Sequence, residues 1–292
     1  MFIFDIAQLA QKSLIYEAST YPKPGLVTPL SRGAHRDMDY RTFVDSAVAL
    51  LPCYINCVSV GLELHALPPE EVLPRLREVG KLGESEMYGA TNGVNTHKGA
   101  IFLIGLLCAA AGRLHSAEEL LVPERVAETA ASFVKGIVER ELRTLRHGLT
   151  DCTSGELAYI LHRVDGARGE AQRGFPSALA ALNDLKSFAD SPLPFREQLA
   201  HVLIAIMADN ADSNLIARGG VEAMEEVRER AKAVLAAGGM LTPKGREGIE
   251  EMEKILVEKN FSPGGSADIL SCAVFLWLLE NDRRSVAADW AI

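Results

Sequence analysis

The chain is 292 residues long, 48% hydrophobic and 24% charged, with a formal net charge of −9 and a sequence pI near 5.4. That acidic balance excludes sequence-independent nucleic-acid binding, which needs a basic surface to release phosphate counterions, and the length permits a large core in a single domain spanning 1–292. The longest apolar runs, Ile101 to Ala111 and Ile269 to Leu279, fall short of the roughly 20 residues that cross a bilayer, and the first residues lack the order of a secretory signal, so a cytoplasmic protein without membrane partners is expected.

In chain order, Asp5 caps a first helix reaching Ala18, with Ile6, Leu9, Ala10 and Leu14 facing inward. A second helix is expected from Arg41 past Pro52 to Leu64, bent at the proline. Glu70 to Met87 and Lys98 to Arg113 follow, and then a face made by Val126, Ala130, Phe133, Val134, Ile137, Val138 and Leu142. Further helices fit Thr153 to Val164, Ser177 to Phe188, Pro194 to Ala211, Val221 to Ala237, Pro243 to Asn260 and Ala267 to Leu279. No alternating strand pattern intervenes, so the expected fold is all-α: a single multi-helix bundle of about ten helices, with the site in glycine-rich interhelical loops. The five cysteines form no C-x-x-C pair and read as free core thiols.

The unusual residues gather in the connections. Thr91-Asn92-Gly93-Val94-Asn95-Thr96-His97-Lys98-Gly99-Ala100 feeds an apolar helix, and a helix start with close-approaching glycines suits an anion, phosphate first. It is neither a Walker loop nor a dinucleotide glycine pattern. Asp209 and Asp212 stand three apart at the end of an apolar helix, where two carboxylates facing one point call for a cation, Mg²⁺ or an arginine such as Arg218, unless they only finish a solvated helix end. Ser262-Pro263-Gly264-Gly265-Ser266 reads as a helix start capped by Ser266, or as a second anion site.

Taken together and in order, Pro22-Lys23-Pro24-Gly25-Leu26-Val27, Gly33-Ala34-His35 with Asp37-Met38-Asp39, Asn95 to Ala100, Gly166-Ala167-Arg168-Gly169-Glu170-Ala171, Asp212-Ser213-Asn214 with Arg218-Gly219-Gly220, and Ser262 to Asp268 resemble the triphosphoribosyl-dephospho-coenzyme A synthases. The resemblance runs from Glu17 to about Leu279. It departs from the family pattern at Thr28, where an aspartate is usual, at Asn92, where glycine is usual, and at Ser213, which replaces threonine.

The resemblance implies that ATP loses adenine and its triphosphoribosyl unit joins the ribose 2′-hydroxyl of 3′-dephospho-CoA, giving the prosthetic-group precursor of citrate lyase or malonate decarboxylase acyl carrier protein. Such a reaction needs a carboxylate near the ribose C1, a proton source for adenine, and a base for the hydroxyl. Catalytic candidates are Glu170, Asp209, Asp268 and His97; His97 serves either as adenine's acid or as a phosphate ligand, or is simply a hydrogen-bonded structural residue. Phosphate and substrate candidates are Lys23, His35, Asn95, Thr96, Lys98, Arg168, Arg173, Gly264, Gly265 and Ser266, with Arg168 foremost unless it pairs with a loop carboxylate such as Glu170. The metal candidates are Asp209, Asp212 and Glu86, and Mg²⁺ is the expected cofactor. ATP and 3′-dephospho-CoA are the expected partners, and a homo-oligomer is compatible with the sequence. The alternatives are a magnesium-dependent N-riboside (ADP-ribosyl-type) hydrolase and a non-catalytic nucleotide sensor.

Overall fold

A computed structural model describes residues 2–143 and 152–281. The described residues are helical with no strand. In order they form α1 Phe2–Ser19, α2 Tyr40–Ala49, α3 Leu51–Glu63, α4 Val72–Ala90, α5 Lys98–Ser116, α6 Pro123–Phe133, α7 Ser154–His162, α8 Gly166–Gln172, α9 Pro176–Ser187, α10 Phe195–Asp209, α11 Ser213–Ala236, α12 Pro243–Glu258 and α13 Gly264–Asn281.

Two strongly apolar helices, α5 and α13, take the centre, because apolar residues on every face of a helix have nowhere else to hide. From Ala100 to Leu114 nearly every residue of α5 is buried, as is the run Ile269 to Leu276 of α13. Amphipathic helices surround them, and one continuous apolar cluster runs from Ile6 to Leu278. The α3–α5 crossing is close because Gly61 and Gly112 present no side chain there; a Cβ on either would strike the partner's backbone at Ala109 or Val58. By length and composition Tyr40–Glu63 and Lys98–Ser116 are apolar enough to cross a membrane, but 72% of the apolar window in the second is packed inside the protein.

Four expectations are corrected. The helix expected over Arg41 to Leu64 divides at Leu50, since Pro52 in the first turn of α3 cannot continue the hydrogen-bond ladder. The single face from Val126 to Leu142 is split by Gly136, at φ +74°, into α6 and a wide turn at Val138–Leu142. The segment read as a loop after Gly166 is the short helix α8. Finally α11 begins eight residues earlier than its apolar pattern indicated, with Gly219 and Gly220 breaking the helical dihedrals inside it. That early start carries Asp212 and Asn214 to the start of α13.

Candidate active site

The starts of α5, α8, α11 and α13 and the end of α10 meet at one end of the bundle, around a cavity of about 880 Å³. Beside it lies a smaller cavity of about 320 Å³. Asn95, Lys98, Gly99, Asn214 and Asp268 border both, so the start of α5 and the first turn of α13 form the wall between them.

Helix starts offer unpaired N–H groups and a partial positive charge, and here carboxylates from elsewhere in the chain take them up. Asp212 caps α11, accepting from Asn214 N at 2.9 Å, and reaches across to the start of α13, where it accepts from Gly265 N at 3.3 Å, Ser266 N at 2.7 Å and Ser266 Oγ at 2.9 Å. Glu170 does the same for α9, whose own cap residue Phe175 has no polar side chain: it accepts from Ser177 N, Ala178 N and Ser177 Oγ at 2.8–3.1 Å. Asp268 accepts from Ala100 N at the start of α5. A Cβ on Gly99 would lie 2.9 Å from Asp268 Cγ, so only glycine leaves room for that carboxylate.

Burial raises the pKa of all three carboxyl groups, and the N–H donors partly offset it at each. Asp268 is displaced furthest, well above the ordinary aspartate range, because the charges of Glu17 and Asp212 add to its desolvation. It is the carboxylate that both cavities touch.

Five cationic side chains border the larger cavity: Arg77, Lys81, Lys98, Arg168 and Arg173. All five are held by carboxylates, Lys81 by Glu78 at 3.0 Å. Lys98 pairs with Glu84 at 2.8 Å, Arg168 with Glu141 at 3.1 Å, Arg77 with the same Glu141, and Arg173 takes both oxygens of Asp165 at 2.5 and 3.2 Å. These pairs are partly exposed, so they hold the cations in place at little cost and can exchange a carboxylate for a phosphate. The pairing foreseen for Arg168 is thus real, but with Glu141 and Glu156 rather than Glu170.

Lys23 is different. It is buried and bound to Glu17, donating to Oε1 at 2.5 Å and to the backbone carbonyl at 2.9 Å. Burial lowers its pKa, against the opposing pull of Glu17. A lysine so engaged braces the first connection, and a phosphate contact would require it to leave Glu17. His35 sits between Ser262 Oγ, at 2.8 Å from Nε2, and the Arg218 guanidinium, 3.4 Å from Nδ1. Burial, helped by Arg218, lowers its pKa to about 4. His97 is fully enclosed: Nδ1 meets Ser46 Oγ at 2.7 Å, the ring stands edge-on to Phe43, and buried Nε2 has no partner among the described residues. Burial drives its pKa down to about 3, so it is a neutral imidazole and not a cationic acid.

The connections that sequence singled out border the two cavities, with Lys23, His35, Asn95, Thr96 and His97 in non-helical segments and Lys98, Arg168, Gly264 and Gly265 in first turns of helices. Asn95 Oδ1 accepts from Lys98 N at 3.3 Å and Thr96 Oγ1 donates to Ser46 Oγ at 2.7 Å. The anion expected at Gly264 and Gly265 is internal, since Asp212 occupies the Gly265 and Ser266 N–H groups. Asp212 is accordingly a clamp whose oxygens are both engaged, while Asp209 lines the larger cavity. Glu86 is a correction. On α4 the cavity-facing positions are Arg77, Lys81, Glu84 and Tyr88, and Glu86 is exposed, about 200° round the helix from Glu84.

Sequence reading missed Glu84, Arg77, Lys81, Glu141 and Asp165 on the larger cavity and Glu17 and Ser46 behind the smaller one. A three- and four-residue spacing along α4 was the available signal for the first three. Glu17 and Ser46 lie on ordinary helical stretches, Glu141 in the wide turn and Asp165 just before α8, and packing alone brings them in.

Residues 3–286 match the family described as ATP:dephospho-CoA triphosphoribosyl transferase (CitG). Two relatives from Vibrio cholerae serotype O1, strains M66-2 and ATCC 39315 / El Tor Inaba N16961, are each 37% identical over 278 residues, covering 94% of this chain and 87% of the relative. Each bears the name "Probable 2-(5''-triphosphoribosyl)-3'-dephosphocoenzyme-A synthase". A solved chain from Archaeoglobus fulgidus, described as the same kind of synthase, superposes with a TM-score of 0.49 at 18% identity, covering 79% of this chain and 99% of its own.

Proposed function

The chain belongs to the ATP:dephospho-CoA triphosphoribosyl transferase family, and we infer that it is a triphosphoribosyl-dephospho-CoA synthase. It takes ATP and 3′-dephospho-CoA as substrates, breaks the bond between adenine and ribose, and joins the triphosphoribosyl unit to the acceptor's 2′-hydroxyl. The observation that carries this reading at the level of residues is Asp268: a carboxyl group raised above its ordinary range, standing in the wall that two cavities share.

Charge at the sugar C1 rises as adenine leaves, and a carboxylate within reach stabilises it electrostatically. The incoming hydroxyl must also lose a proton, and a carboxylate whose affinity for protons burial has raised is suited to accept it. Asp268 is therefore assigned as base and charge stabiliser. Lys98, Arg168 and Arg173, with Arg77 and Lys81, hold the triphosphate and the acceptor's pyrophosphate by exchanging their present carboxylate partners for phosphate oxygens. Glu170 and Asp212 act at a distance, fixing the starts of α9 and α13.

Among the described residues no group of three or more His, Cys, Asp or Glu side chains has the geometry of a metal cage. That donor set still fits Mg²⁺, which is commonly bound by one or two carboxylates and by substrate phosphates with retained water. Asp209 would hold it, together with the triphosphate. Bound there, the ion would neutralise phosphate charge that seven lining carboxylates would otherwise oppose. ATP as substrate also makes the cytoplasm the expected place of action.

Incubation with ATP and dephospho-CoA, following free adenine, tests the reading. Adenine release that requires the acceptor is expected. Release without acceptor would instead indicate an N-riboside hydrolase, and saturable ATP binding with no adenine formed would indicate a sensor; family membership favours neither.

A further inference from the structure

The two cavities differ in what they can bind. The larger one has five cations exposed to exchange. In the smaller one Lys23 is bound to Glu17 and one Arg218 nitrogen donates to Ala34 O, Asn260 O and Asn260 Oδ1 at 3.0–3.2 Å, so the one cation it shares with that exchangeable set is Lys98, on the common wall. Its other walls include Leu26, Val27, Met38 and Phe43, flat or apolar surfaces that suit an aromatic ring. At about 320 Å³ it stands at the low end of small-molecule sites.

It also holds an unmet polar group. Thr96 Oγ1 donates to Ser46 Oγ, so the Ser46 hydrogen is free to go to His97 Nδ1, both at 2.7 Å. Nε2 then carries the ring hydrogen, and this buried donor has no acceptor within the described residues. A buried donor left unpaired is costly and rare, and a ligand acceptor is the usual remedy.

We propose that the smaller cavity is the pocket for the purine of ATP, and that His97 Nε2–H donates a hydrogen bond to a ring nitrogen of that base. The inference rests on the synthase reading. In ATP the ribose lies between base and triphosphate, so a ribose held at the Asp268 wall puts the base on one side and the phosphates on the other. The uncharged base takes the cavity with apolar walls and internally engaged Lys23 and Arg218, and the triphosphate takes the one lined by five exchangeable cations. As the C1–N9 bond breaks, its electron pair stays on the purine, and a donor to the ring stabilises that developing charge. The new C1–O bond forms to the acceptor's 2′-oxygen. The proton that oxygen gives up to Asp268 balances the one the purine gains, so no other reactant is consumed.

Titration calorimetry on the full chain with two fragments, free adenine and inorganic tripolyphosphate, separates the two halves of the donor. His97→Leu is expected to weaken adenine binding by about 10- to 100-fold, the range for a lost buried hydrogen bond, with tripolyphosphate affinity unchanged. His97→Gln, which keeps a donor near the same place, should recover part of it. Equal adenine affinity in wild type and His97→Leu would overturn the assignment, and so would equal losses for both fragments. A wild-type crystal soaked with adenine needs no variant: density beside His97 supports the pocket, and density in the larger cavity refutes it. If wild-type protein forms no adenine from ATP and dephospho-CoA, the synthase reading itself fails; if it does while adenine binds elsewhere, only the pocket fails.

Discussion

Replacing Gly99 by alanine separates stability from catalysis. In a helix alanine is favoured over glycine by roughly 0.5–1 kcal/mol, so at most positions the change would stabilise the protein. At Gly99, however, the added methyl would lie 2.9 Å from Asp268 Cγ and nearer still to Oδ2. Ordinary contact between carbons is about 3.5–4.0 Å, so the carboxylate must retreat by about 1 Å. It cannot retreat freely, because Ala100 N holds it and α13 encloses it. Misplacing a reacting group by about 1 Å costs about 100-fold in rate. Gly99→Ala should therefore melt within a few degrees of wild type, bind ATP with similar affinity, and lose about 100-fold in kcat. Steady-state adenine release with dephospho-CoA, beside a thermal melt, measures both. A variant with wild-type kcat would show that the position of Asp268 does not matter to the chemistry and would remove it as the base.

Asp268→Asn removes the activity and raises the melting temperature at neutral pH. The sign follows from the raised pKa: the native state favours the protonated carboxyl, so stability from this group is complete below the unfolded aspartate pKa and is lost as pH rises through the higher native value. The asparagine variant lacks that loss, and its melting temperature should fall less than wild type's between acidic and neutral pH. For the same reason wild-type kcat/KM should rise with pH as Asp268 ionises; a rate that falls over this range would make it an acid instead. Arg168→Ala should raise KM for ATP about tenfold or more while moving stability by less than about 1 kcal/mol, since its ion pairs are partly solvated; a collapse of folding would return Arg168 to a structural role. Glu170→Ala should cost about 1–3 kcal/mol in urea unfolding, because Ser177 N and Ala178 N lose their acceptor. If that variant is as stable as wild type and inactive, Glu170 is catalytic after all.

Much of the fold was legible because a core helix announces itself by spacing. The starts of α5 at Lys98 and α12 at Pro243 were read to the residue. The misreadings came where one residue decides: Pro52 dividing a run, Gly136 ending another, and Gly166 opening a helix inside what looked like a glycine loop. At the site, the glycine-bearing connections pointed to the right end of the bundle. They did not reveal that the charges within them were answered internally. Lys23 looked free and is bound to Glu17; Gly264 and Gly265 looked open to an anion, and Gly265 N already donates to Asp212.

The amino-acid order alone determined the helical class, the central place of the two all-apolar helices and the family, because periodicity, composition and motif order are properties along the chain. Tertiary structure decided which carboxylate is strained and which is satisfied. Asp212, Glu170 and Asp268 are alike as residues, and their protonation, clamping and access depend on which helix start each meets and how much water is left around it. Electrostatic energy depends on distance and dielectric in space, and neither can be read from separation along the sequence.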